Sequence, residues 1–187
     1  MTPLARRLAW QRSERDADRK IDMRAYVLAT FTVNPLAPYL GTALQAAGFE
    51  PAVDIGPFDQ IRQELLTGQG SDADVVVVWP RLEDLWSGGP SPLVRGDTDD
   101  ALDNLRAIGE LCVASAASWG VTFVVVLPAI PDARPLGVGD AGNPFGVGAA
   151  AAVAREALRE CVAGRPGVLV VDADDVIRTI GSRQAID

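Results

Sequence analysis

Thr30, Thr32 and Asn34 share one short turn, Thr30-Phe-Thr-Val-Asn34, at the end of an apolar run that begins at Tyr26. Alcohols placed there can act as a nucleophile or as contacts to an oxyanion when the N–H groups of a following helix support the same negative charge. Pro35 and Pro38 mark that helix start, because proline has no N–H to lose in a first turn. The same residue types are also helix caps, and from spacing alone a cap is the favoured reading of Thr32 or Asn34. Composition constrains the choice: the 187 residues include no histidine. An alcohol nucleophile needs a base for its proton, so Thr32 would depend on a carboxylate such as Asp84 or Asp172.

Other charged groups recur where strands are expected to end. Arg81, Glu83 and Asp84 follow the run Val75–Trp79 and suit acid–base work or anion binding, or else a solvated loop start. Asp97, Asp99, Asp100 and Asp103 lack the glycine and glutamate of a calcium loop and read as carboxylates at a helix N-terminus, so no metal is expected. Asp172-Ala-Asp-Asp175 mimics the start of haloacid-dehalogenase phosphotransferases, but only twelve residues follow it, and a cap with an acidic first turn is the expectation. The glycines of 137–148 match neither a phosphate-loop nor a dinucleotide fingerprint, and no cofactor is expected.

The elements that must position these groups alternate. Strands read at Ala25–Phe31, Pro51–Ile55, Asp74–Trp79, Val121–Leu127 and Val168–Val171. Continuous Val/Leu/Phe runs are the mark of parallel strands buried on both faces. Helices read at Pro35–Ala47, Phe58–Leu66, Thr98–Trp119, Val147–Ala163 and Asp174–Ile180, with Gly48, Gly120 and Gly164 as stops. The expected architecture is α/β: a three-layer, doubly wound, flavodoxin-like sheet of five parallel strands. Ligands of such sheets bind at the carboxyl ends of the strands, where the long loops Pro80–Gly96 and Pro128–Gly146 also lie. Residues 1–22 form a basic leading helix, packed by its first turns through Leu4, Leu8 and Trp10; residues 23–187 form the α/β domain.

The net charge of −8 argues against general nucleic-acid binding. No apolar run reaches the ~20 residues of a membrane helix, and no signal-peptide pattern opens the chain. Cys112 and Cys161 read as small hydrophobes in a reducing, cytoplasmic setting. Residues 1–24 are the exception in charge, with seven basic and four acidic side chains.

Several segments together resemble a known group. Ala29-Thr-Phe-Thr-Val-Asn-Pro-Leu36, Gly48-Phe-Glu-Pro51, Gly56-Pro-Phe-Asp-Gln-Ile-Arg-Gln-Glu-Leu65, Asp72-Ala-Asp-Val-Val-Val-Val-Trp79 and the terminal Val-Leu-Val-Val-Asp172 are similar to the SGNH-hydrolase-like N-terminal region of FkbH-like proteins. In that family the region precedes a haloacid-dehalogenase-like domain, and the full proteins load a glyceryl unit onto an acyl carrier protein. The resemblance implies an accessory or recognition domain in carrier-protein-dependent biosynthesis. It puts Thr32 in the place of the hydrolase serine and Gly56 in that of the oxyanion glycine. Thr30, Asn34, Arg81 and Asp84 are the remaining candidate substrate contacts. The chain departs from the group in three ways: threonine for serine, Trp79-Pro-Arg-Leu82 where an asparagine belongs, and no histidine. The classical triad cannot be assembled. The alternative is an esterase or acyltransferase using Thr32 with a non-histidine base. Partners implied are an acyl carrier protein or a haloacid-dehalogenase-like domain. Arg6, Arg7, Arg12, Arg15 and Arg19 would meet an acidic carrier protein, or else form a solvated helix face.

Overall fold

Runs such as Val75-Val-Val-Val-Trp79 have no polar face to offer water, so they form a sheet with helices packed over it. The computed structural model describes residues 3–14, 19–85, 99–130, 137–143 and 146–181. In chain order these form α1 (Pro3–Glu14), β1 (Met23–Ala29), a 3-10 turn (Asn34–Leu36), α2 (Ala37–Ala46), β2 (Pro51–Ile55), α3 (Ile61–Thr67) and β3 (Val75–Trp79). Then come α4 (Leu82–Leu85), α5 (Asp99–Trp119), β4 (Thr122–Leu127), a second 3-10 turn (Gly137–Gly142), α6 (Val147–Val162), β5 (Val168–Asp172) and α7 (Ala173–Ile180).

All four strand pairings are parallel, and the sheet order is β2-β1-β3-β4-β5. This is the three-layer doubly wound arrangement expected. The larger core lies under α3, α4, α5 and α6, where Phe123, Val76, Val78, Leu105 and Leu158 are fully buried. The smaller core lies on the other face, under α1 and α2, and holds Val27, Ala25 and Val53. The two crossovers leaving β1's neighbourhood therefore run over opposite faces, which opens a crevice beyond the carboxyl ends of β1 and β3. Burial is not equal across the sheet. β1 is sealed on both sides by Val27 and Leu28, whereas Leu169 on the edge strand β5 is 59% exposed.

The leading helix corrects one expectation. Leu4 and Leu8 are 65% and 43% exposed, and the anchor is Trp10, at 3%. A Cβ on Gly41 of α2 would lie 2.0 Å from the Trp10 ring, so the indole fills a notch that only glycine leaves open. Arg19 stacks over the indole, 5.3 Å from its centroid, and pairs with Glu50 at 3.1 Å. Ser13 accepts a 3.0 Å hydrogen bond from the Gln45 carboxamide. The helix is held by its last turns, because an indole buries far more area than either exposed leucine contributes.

The long α5 carries its acidic first turn, Asp99 and Asp100, at the positive end of the helix dipole; Asp97 lies outside the described residues. No helix among the described residues is long and apolar enough to cross a membrane.

Candidate functional site at the carboxyl ends of the first and third strands

β1 ends at Ala29, so Thr30 is the first residue free of the ladder. It is 3% exposed, and a buried hydroxyl must find partners. Its Oγ1 donates to Asp84 Oδ2 at 2.9 Å and accepts from the Arg81 backbone N–H at 2.8 Å. Asp84 sits on α4, a single turn that β3 enters directly. Arg81 grips both its oxygens in a fork, from Nε at 2.9 Å and from Nη2 at 2.5 Å. That hydrogen bond, opposed by partial burial, lifts the Arg81 guanidinium above its ordinary value. The guanidinium also lies 5.7 Å from the Phe31 ring, which meets Trp79 edge-on at 5.4 Å. One hydroxyl thus stitches the end of β1 to the loop after β3, 54 residues away in the chain.

The other candidates are placed differently. Thr32 is exposed, and no hydrogen bond joins it to a described residue. Asn34 is exposed in the 3-10 turn; Val33 occupies the cap position there, and no side chain caps either helix start. Gly56 donates its N–H to the Val27 carbonyl at 2.8 Å, continuing the β1–β2 ladder. A Cβ at Gly56 would meet Leu28 Cδ2 at 2.5 Å and the Tyr26 hydroxyl at 3.0 Å, so packing alone calls for glycine. That Tyr26 hydroxyl donates to Glu64 on α3 at 2.5 Å; burial and the Glu64 bond push the phenol well above its ordinary range. Arg12 is exposed on α1 and Arg19 is turned inward on Trp10. The side chains of Arg6 and Arg7, and Arg15 altogether, lie outside the described residues.

Asp172 lies at the end of β5, three interstrand steps or about 14 Å from β1. It caps α7, accepting from the N–H groups of Asp174 and Asp175 at 2.9 and 3.4 Å. Arg155 of α6 reaches both Asp172 oxygens at 2.6 Å and Asp174 at 2.9 Å, and it also donates to the Pro128 carbonyl. Burial pushes the Asp172 carboxyl up, but the Arg155 hydrogen bond and charge outweigh it and hold the carboxyl below its usual value.

The glycine-rich segment forms a 3-10 turn whose own Asp140, 2% exposed, accepts from the N–H groups of Val147 and Gly148 at 2.8 and 3.0 Å. The start of α6, a natural anion seat, is filled by a carboxylate of the same chain. Among the described residues, no group of three or more potential metal ligands converges.

Comparison with known proteins bears on the fold. No protein-family model matches the sequence, and no curated protein matches it. A solved structure does: the N-terminal part of the protein BF1531 from Bacteroides fragilis, which contains a phosphatase domain and is complexed with Mg. The TM-score is 0.70 at 13% identity, over 97% of this chain and 48% of that one. The two share a fold across the whole length described above, and this chain spans about half of the other.

Of the residues lining the crevice, the sequence singled out Thr30 and Asp84 but not the others. A cavity of 450 Å³ lies beside Thr30 and Asp84, walled by Asp59, Gln60 and Gln63 from the α3 side and by Asn104 from α5. Asp59 is the one described non-glycine residue with positive φ, at 55°. The available signal was the Gly56-Pro-Phe-Asp-Gln60 segment directly after β2, where a doubly wound sheet places ligand contacts.

Proposed function

We propose that this chain is an SGNH-like recognition domain of the FkbH-like kind, working without ester hydrolysis in cytoplasmic, carrier-protein-dependent biosynthesis. In this reading it binds an acidic acyl carrier protein and presents its cargo to a haloacid-dehalogenase-like domain. The observation that carries the reading is the closed relay at the sheet's edge. Thr30 donates its hydroxyl hydrogen bond to Asp84, both Asp84 oxygens already accept from Arg81, and the exposed Thr32 hydrogen-bonds to no described base. An alcohol without a base stays a weak nucleophile. The resemblance in sequence supplies the carrier protein. The likeness to half of a longer, phosphatase-containing chain fits a domain that works beside a second one.

Two measurements test this. Fluorophosphonate treatment should leave Thr32 unlabelled under conditions that label a serine esterase. Titration with a holo acyl carrier protein at low salt should saturate, and the double charge reversal Arg12→Glu/Arg15→Glu should weaken it about tenfold, the direction expected for steering between opposite charges. A labelled Thr32 peptide would revive the esterase. A carrier protein that fails to bind, or binds the reversed variant equally well, would end the recognition reading.

A further inference from the structure

The crevice has walls that the closed relay does not use. Its volume, 450 Å³, is that of a small-ligand site. Its floor is apolar: Ile61, Leu85 and Ile108 are 3%, 8% and 2% exposed. Its rim is polar but poor in free positive charge. Arg62 donates to the Asn104 carboxamide at 3.3 Å across the gap, and Asn104 in turn donates to the Leu85 carbonyl at 3.3 Å. Gln60 and Gln63 are exposed, and neither carboxamide hydrogen-bonds to a described residue. Two carboxylates, Asp59 and Asp84, complete the lining.

This chemistry excludes some ligands and favours one class. A phosphate or carboxylate would meet the Asp59 carboxylate, with Arg62 as the one lining cation, because Arg81 is already spent on Asp84, and like charges in contact are unfavourable. A purely apolar chain would strand the carboxamides, which cost free energy when desolvated without partners. Primary carboxamides donate and accept at once, so they match a group that also does both. Secondary amides separated by short methylene segments fit carboxamides above an apolar floor.

We infer that the crevice between α3 and α5 binds a neutral, extended, amide-bearing arm, with Gln60 and Gln63 pairing with its amides and Ile61 and Ile108 under its methylenes. Resting on the carrier-protein reading above, the arm is the pantetheine portion of the carrier's prosthetic group. The carrier's own phosphate stays outside the crevice, away from Asp59 and Asp84.

The probe is pantetheine, uncharged and carrying two secondary amides, titrated against the full chain by NMR or calorimetry. Saturable millimolar binding is expected, with shifts at Gln60, Gln63 and Asn104. Gln60→Ala/Gln63→Ala should weaken it at least fivefold without moving the melting temperature, because both side chains are exposed. Phosphopantetheine should bind no more tightly than pantetheine. No saturation, indifference to the double variant, or tighter binding of the phosphorylated form would each overturn the assignment. Comparing holo with apo carrier protein separates the two proposals. Equal, strong binding of both leaves carrier recognition standing and removes the arm site. Pantetheine binding with no carrier binding keeps the site and removes the carrier.

Discussion

An arginine and an aspartate meet at the carboxyl edge of the sheet in two places, and their surroundings set them apart. Beyond β3, Arg81 holds Asp84 three residues along its own loop, with half of the arginine side chain in water. Beyond β4 and β5, Arg155 is only 12% exposed and joins α6 to the cap of α7 and to the Pro128 carbonyl. The first pair fixes a short turn and leaves a crevice open beside it. The second closes its end of the sheet. The chemistry is the same in both; what differs is how many separate elements the guanidinium touches and how much water it keeps. Where the ion pair is local the strand end keeps an open crevice, and where the pair bridges separate segments that end is closed.

That contrast can be broken by substitution. Arg155→Met should cost the most, about 3 kcal/mol in urea unfolding, because it strands two partly buried carboxylates and a carbonyl. Thr30→Val should come next, at about 1–2 kcal/mol, since it keeps the shape but leaves the Arg81 backbone N–H without a partner and takes one of the hydrogen bonds from Asp84. Arg81→Met should cost less than about 1 kcal/mol, the usual worth of an exposed pair. Equal losses at positions 81 and 155 would erase the distinction between the two edges.

Acid should sharpen it further, with the smallest effect. Asp172 titrates below its ordinary value of 3.8 in the folded chain. The unfolded chain therefore binds the proton first, and the stability Asp172 contributes is present above pH 3.8 and disappears as pH falls through the lower folded value. Asp172→Asn, which can still cap α7, should flatten the acid limb of a stability–pH curve. An unchanged limb would show that Arg155 does not hold this carboxylate in solution.

The sheet was readable because buried parallel strands write themselves as unbroken apolar runs. Pro51–Ile55 coincides with its observed strand, and the others shift by one or two residues at their ends. The α2 start was readable from Pro35 and Pro38 for the same local reason. The site was harder. Thr30 and Asp84 are joined by one hydrogen bond across 54 positions, and no local pattern records which alcohol in Thr30-Phe-Thr32 points inward. That is settled only once the strand end is known: Ala29 closes β1, so Thr30 tucks under and Thr32 swings out. Trp10 is legible among the packing residues of α1, but its dominance was hidden because a single indole in a glycine notch leaves no periodic stripe, while Leu4 and Leu8 supply a misleading one. Asp140 was hidden because a carboxylate can cap a helix seven residues downstream when an intervening turn folds it back.

The fit of Trp10 against Gly41 couples two positions on separate helices as a matched pair. A methyl group at 41 leaves no room for the indole, so a relative with alanine there must dispense with the tryptophan or carry its leading helix elsewhere. Glycine and tryptophan kept or lost together across related chains would therefore sort those that wear this helix in the same place from those that do not.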